Sequence, residues 1–300
     1  MSVHTPMLSQ TSSSPASPMR PDRQDRRRPA DLLVVVPTLV VLAIIVFPVV
    51  WMVYSSLRPA DAIATGTSWS NVFSGLGLDA YQRLFSESHY GRYLGNSIVV
   101  SVISTCCTVV LSAIAGFALS RYRFRMRTSV LMLVLATQLL PFVVLITPIY
   151  LAFSEVGLLN SYLGIVVVYT AMTLPMAIYL MMGYFNAIPR GLDEAARIDG
   201  CSTLGVIFRV IVPVALPGIV TVAVTAFIAT WEEFLFATVL LTNDDLKTVQ
   251  VGLAGFFGEY ATDWSLVMAA ATVAAIPTVV LFFLVQKRLV AGMAAGSVKE

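Results

Sequence analysis

Long apolar runs, separated by short polar or basic stretches, set the pattern of this chain. Six runs reach the roughly 20 residues a helix needs to cross the hydrocarbon layer: 32–57, 96–119, 129–152, 162–185, 214–241 and 264–286. Each is expected to be helical, because lipid offers no partner to an unpaired backbone N–H or C=O. The pattern predicts an all-α membrane protein: six transmembrane helices in a domain over 32–290, with both termini on one side. Residues 58–95 carry Gly66, Trp69, Gly75, Gly77 and Tyr81 and leave room for a short interfacial helix around Asp79–Ser86. Residues 186–213 form a charged, glycine-punctuated loop that must be a soluble surface.

Within that loop, Pro189 suits a first helical turn. Leu192, Ala195, Ala196 and Ile198 then fall within two turns, giving an apolar side. Asp193, Glu194, Arg197 and Asp199 occupy the rest, and Asp193 with Arg197 makes an i, i+4 pair. Gly200 is a natural C-terminal stop, where a left-handed residue ends a helix. Ser202 or Thr203 can cap a second short helix through Phe208, and Pro213 and Pro217 mark re-entry into the fifth span. Two short helices at an angle are expected.

Charge orients the spans. Of the 19 Lys and Arg, the N-terminal tail (1–31) holds Arg20, Arg23, Arg26, Arg27 and Arg28. The loop after span 2 holds Arg121, Arg123, Arg125 and Arg127. Arg190, Arg197 and Arg209 lie in the 186–213 loop, and Lys287, Arg288 and Lys299 near the C-terminus. Only Arg58, Arg83, Arg92 and Lys247 fall on the opposite side, among Asp61, Asp79, Glu87, Glu155, Asp244, Asp245, Glu259 and Asp263. Basic loops stay cytoplasmic, so both termini and the 186–213 loop are expected in the cytoplasm.

Composition agrees. Charged residues make up 12%, about half the share of soluble proteins, and mean hydropathy is +0.82. The Ser-, Pro- and Arg-rich residues 1–31 are expected to be disordered. The apolar run after them is too long for a signal-peptide core and reads as a retained span. Residues 291–300 read as a cytoplasmic tail. Cys106, Cys107 and Cys201, with His4 and His89, show no metal-ligand spacing.

The loop pattern Glu194-Ala195-Ala196, three residues, Gly200, nine residues, then Val210-Ile211-Val212-Pro213 resembles the coupling loop of ABC-transporter permeases. Further stretches resemble the second permease subunit of carbohydrate importers of the maltose type. They are Ser120-Arg121-Tyr122-Arg123-Phe124, Gln138-Leu139-Leu140-Pro141, Gly157-Leu158-Leu159-Asn160-Ser161, Ile198-Asp199-Gly200, Trp231-Glu232-Glu233-Phe234 and Gly292-Met293-Ala294-Ala295-Gly296-Ser297-Val298-Lys299. The resemblance implies a type I ABC importer permease fold. It gives Glu194, Ala195, Ala196, Asp199 and Gly200 the role of coupling to an ATPase dimer. It also implies a second six-helix permease subunit, an extracellular substrate-binding (lipo)protein and a sugar substrate, in the inner or plasma membrane of a prokaryote. A polyol or glycerophosphate is the alternative substrate. ATP and magnesium would be used by the partner ATPase, and no cofactor is expected on this chain. The lysines, Lys247, Lys287 and Lys299, never follow a glycine, so there is no phosphate-binding Walker loop.

Polar residues inside spans are costly unless they face a cavity or a partner. Glu232 and Glu233 in span 5 are candidates for the substrate path, with Trp231 as a stacking face for sugar. The competing reading has them anchor the span or bond a neighbouring helix. Gln138, ahead of Pro141 and Pro148 in span 3, is either a path residue or part of a structural kink. Asn96 reads as a helix cap. An ion-coupled carrier would also want an intramembrane carboxylate, but it leaves the loop unexplained and would be expected to show internal repeats. No His-Glu-x-x-His or nucleophile–His arrangement supports an enzyme.

Overall fold

The computed structural model describes residues 29–59, 75–257 and 262–297, with side chains between 34 and 286. The expected N-terminal tail and the first part of the outer segment lie outside the described residues. The chain divides into two units, 1–49 and 50–300. The first contains the start of α1 (Pro29–Ser56), whose residues 34–53 are apolar except Thr38, a composition suited to lipid.

In the second unit, α2 (Asp79–Ser86) is the expected short amphipathic helix. It is followed by α3 (Tyr90–Arg121), α4 (Arg127–Ala136), α5 (Phe142–Glu155), α6 (Tyr162–Ala187) and α7 (Gly191–Ile198). One α-helical turn at Thr203–Gly205 and a π-helical stretch at Val206–Ile211 then run without a break into α8 (Val212–Trp231). After α8 come α9 (Leu235–Leu240), α10 (Val249–Ala254) and α11 (Trp264–Ser297). Five described helices are long and apolar enough to cross a membrane, and α4 with α5 makes a sixth if that bent pair is one span.

Three features depart from the sequence expectation. The third span is not continuous: α4, with a 3-10 turn at Thr137–Leu139, meets α5 at 95°. Pro141 is the cause, since it pushes Leu140 out of the helical region (ψ 126°) and is itself extended. The fifth span ends at Trp231, ten residues before the expected boundary, because residues 232–234 interrupt the helix before α9. At the C-terminus, α11 continues through Ser297 where a tail was expected.

α3 and α6 pack along much of their length. The contact face of α3 carries Ser97, Ser101, Ser104, Thr108, Ser112 and Gly116, all buried, at the three- and four-residue spacing of a single helix face. Lipid tails are as apolar as leucine, so close approach through small residues takes the place of hydrophobic collapse. Gly116 marks the tightest point: a Cβ there would lie 2.9 Å from the Met182 backbone nitrogen. Thr108 and Thr173 add a hydroxyl–hydroxyl bond of 2.7 Å across this interface.

At the end of the bundle away from the 186–213 loop, Asn96 is a hub rather than a cap. It is 6% exposed and lies inside α3, which starts at Tyr90. Its amide nitrogen donates to the carbonyls of Asp245 and Lys247, both at 2.9 Å, and its oxygen accepts from Tyr162 Oη at 2.7 Å. Nearby, Asp244 accepts from Lys247 Nζ (2.7 Å) and Tyr93 Oη (2.8 Å). These two bonds hold its carboxyl below the ordinary carboxylate range. Asn160, at φ 52°, latches the 156–161 turn to Thr242 and the Asn243 backbone. Asn96→Leu removes all three bonds of the hub. It is expected to lower stability by about 2–3 kcal/mol, read as an earlier thermal unfolding midpoint in detergent; an unchanged midpoint would show the hub to be dispensable.

Candidate coupling surface and substrate path

α7 occupies the centre of the 186–213 loop. Asp193 and Glu194 sit in its first turn and Arg197 in its last, the distribution that the helix dipole favours. Its end is a Schellman motif. Gly200 takes φ +82°, its N–H reaches the Arg197 carbonyl at 3.1 Å, and the Cys201 N–H reaches the Ala196 carbonyl at 3.0 Å. Gly200 is therefore the left-handed stop that the sequence indicated. The second helix departs from the expectation. Ser202 does cap it, accepting from the Gly205 N–H at 3.2 Å, but it does not end near Phe208. It continues through the π-helical stretch into α8, so the loop contains one free-standing helix and the extension of a span.

The alanine pair splits. Ala196 is 7% exposed and packs with Val206 and Ile211, fastening α7 to the π stretch. Ala195, Glu194, Arg197, Asp199 and Gly200 are exposed. So are the apolar Leu192, Ile198, Leu204 and Phe208, with Ile198 at 86%. A short helix ending in so exposed an isoleucine, beside exposed leucine and phenylalanine, presents an apolar surface that none of the described residues covers.

Asp193 does not pair with Arg197 as its spacing suggested. It lies against Arg121, the last residue of α3, with Nε 2.7 Å from Oδ2 and both side chains largely buried. The spacing rule weighs only residues on one helix, so a partner some seventy positions away was invisible to it.

The intramembrane polar residues separate onto two sides of the α8–α9 break. Gln138, Thr173, Thr225, Thr230 and Glu233 share a cavity of about 240 Å³ whose remaining walls include Phe142, Tyr169 and Met172. Glu233 lines this cavity, and its two carboxylate oxygens accept the N–H groups of Phe236 (2.8 Å) and Ala237 (3.1 Å), holding the start of α9. Gln138 stands in the 3-10 turn before the bend and donates to the Met172 carbonyl at 3.0 Å, so it serves the kink and faces the cavity together. Glu232 points elsewhere, into a separate groove of about 370 Å³ with Gln250, Ala271 and Ala274. Trp231 offers sugar no open face here. It is 2% exposed, stacked on Phe227, with its indole N–H on the Ala274 carbonyl at 3.0 Å. Among the described residues no His, Cys, Asp and Glu cluster is placed to hold a metal.

Residues 108–295 match the family of binding-protein-dependent transport system inner membrane components. The chain belongs to that family. The permease is 34% identical over 254 residues to the sulfoquinovosyl glycerol transport system permease protein of Agrobacterium fabrum, covering 84% of this chain and 88% of that one. It is 33% identical over 271 residues to the trehalose/maltose permease protein of Thermococcus litoralis (89% and 96%). With the trehalose permease protein of Mycobacterium tuberculosis it shares 34% over 275 residues (91% and 98%). Its fold is that of a chain in a bacterial ABC transporter that imports the acidic polysaccharide alginate: TM-score 0.74 at 22% identity, over 89% of this chain and 99% of that one. The permease thus has the type I ABC importer fold and is a multi-pass membrane transport component rather than an enzyme.

Proposed function

We propose that this permease forms half of the translocation path of an ATP-driven sugar importer, with α7 receiving the work of partner ATPases. The observation that carries the reading is the exposed apolar surface of α7 and the π stretch, closed by Gly200; the basic loops support a cytoplasmic position for it. An ATPase dimer seats on that surface, and a second permease completes the path. An extracellular binding protein delivers the solute to the opposite face. Closure of the ATPases moves α7, and the spans exchange inward- and outward-facing states.

The cavity supports a sugar as cargo. Its polar groups are an amide, hydroxyls and one carboxylate among apolar walls, with no lysine or arginine. That lining suits hydrogen bonding to uncharged, hydroxyl-rich solutes. It gives an acidic glycan no counter-charge from this cavity.

Reconstitution tests the reading. Proteoliposomes carrying the permease, its second permease and ATPases are expected to accumulate sugar only with ATP and the binding protein. Uptake driven by an ion gradient without ATP would overturn it. In the same vesicles Gln138→Ala removes one amide from the cavity and is expected to raise the KM for uptake by roughly fivefold, one hydrogen bond's worth.

A further inference from the structure

We propose that Arg121 is a positioning residue that locks α7 to the end of α3, so that force applied to α7 enters the bundle through α3. This inference rests on the coupling role of α7 proposed above and names the second route by which that role is carried out.

The contacts form a compact brace. Besides the ion pair with Asp193, Arg121 Nη2 donates to Asp193 Oδ1 at 3.4 Å. Its Nη1 and Nη2 both reach the Ile188 carbonyl at 3.2 Å. Arg190 Nη2 returns to the Ser120 carbonyl at 3.1 Å, and Ser120 Oγ donates to Asn186 Oδ1 at 2.8 Å. The last two residues of α3 therefore hold four successive points of the segment entering and opening α7: Asn186, Ile188, Arg190 and Asp193.

Geometry explains the choice of arginine. Its planar fork addresses a carboxylate and a carbonyl at once, which a single ammonium cannot do in fixed orientation. Burial matters as well, because the side chains of Arg121 and Asp193 are 8% and 14% exposed. A pair so shielded is weakly screened by salt and stays closed while the helix is moved. Among the described residues, α7 is otherwise held by the packing of Ala196 and by the chain itself, which leave it free to pivot about its axis; the brace removes that freedom. It also leaves Arg197 exposed and free to face a partner.

The test needs a readout that separates coupling from folding and does not depend on knowing the sugar. In the complete reconstituted complex, with Cys106, Cys107 and Cys201 replaced, Thr225→Cys places a thiol in the cavity. Its labelling by a charged methanethiosulfonate reagent reports which way the cavity opens. ATP with vanadate is expected to change the labelling rate by about tenfold in the parent, within the range that coupled sites show. In Arg121→Gln/Asp193→Asn, which leaves no unpaired buried charge and so keeps the fold, ATP hydrolysis persists but the labelling rate is expected to change by less than about twofold. Exchanging the charges, Arg121→Asp/Asp193→Arg, is expected to restore part of the response. A parental response in the neutral pair overturns the brace. Glu194→Ala in the same assay separates the two levels. If it abolishes the response while the neutral pair does not, α7 is the lever and the brace is not part of it. If neither changes the response, the coupling role of α7 falls.

Discussion

Gly200→Val is expected to cut ATP-driven uptake by about tenfold or more while the permease still inserts and folds. The magnitude follows from the backbone. Gly200 sits at φ +82°, where an L-residue costs roughly 1–2 kcal/mol and a β-branched one the most. Space plays no part, because nothing lies within 4 Å of where its Cβ would be. The strain is relieved by abandoning the Schellman turn, which shifts the exposed Ile198 and Asp199 and the packing of Ala196 against Val206 and Ile211. Gly200 itself is exposed, and of this turn only Ala196 and Cys201 join the bundle's cluster, so the thermal midpoint in detergent should move by only a few degrees. Gly200→Asn is the control, since asparagine tolerates the left-handed region; it should retain most of the uptake. Parental uptake in Gly200→Val would remove the turn from the mechanism.

Gly116→Val should have the largest effect on stability. Its Cβ would lie 2.9 Å from Met182 N and 3.0 Å from Met181 Cβ. The first of these atoms is backbone and cannot rotate away. Relief requires α3 and α6 to separate, along the interface that carries the Ser and Thr face and the Thr108–Thr173 bond. Overpacking costs about 1–3 kcal/mol even where side chains can shift, and here two further methyl groups meet a helix backbone. Gly116→Ala is expected to lower the unfolding midpoint, and Gly116→Val to leave little monodisperse protein after detergent extraction. A Gly116→Val permease with the parental elution profile and midpoint would contradict the close packing described.

What the sequence made legible shares one physical property: it is local. Hydropathy placed the spans because lipid punishes any other arrangement. A short helix around Asp79–Ser86 was expected from the length of the segment between two spans, and the Gly200 stop from its place after a short periodic stretch. What stayed hidden depends on distant partners. Asp193 had a plausible neighbour at Arg197 and a better one at the end of α3. Asn96 looked like a cap because its three partners come from 162 and 245–247. Trp231 looked like a sugar platform because the carbonyl that holds its indole belongs to Ala274. Glu232 and Glu233 stood together as path candidates, and only the α8–α9 break shows which one shares a cavity with Gln138. The 95° bend in the third span was signalled by Pro141, but proline marks a break without giving its angle.

The π-helical stretch at Val206–Ile211 carries one residue more than an α-helical turn needs. Val206 and Ile211 are both buried, although five residues along an α-helix would set them about 140° apart. The wider turn brings them to one side, in the same cluster as Ala196. Losing a single residue here would let the stretch relax into ordinary α-helix, with every hydrogen bond still made. The tighter turn completes the same revolution with one residue fewer, so α7 would keep its bearing around the axis of α8. A second deletion has no such slack: everything before it would swing by about 100°, carrying α7 off its seat. One deletion between Val206 and Ile211 should therefore be tolerated far better than two. The segment holds a spare residue, and only one.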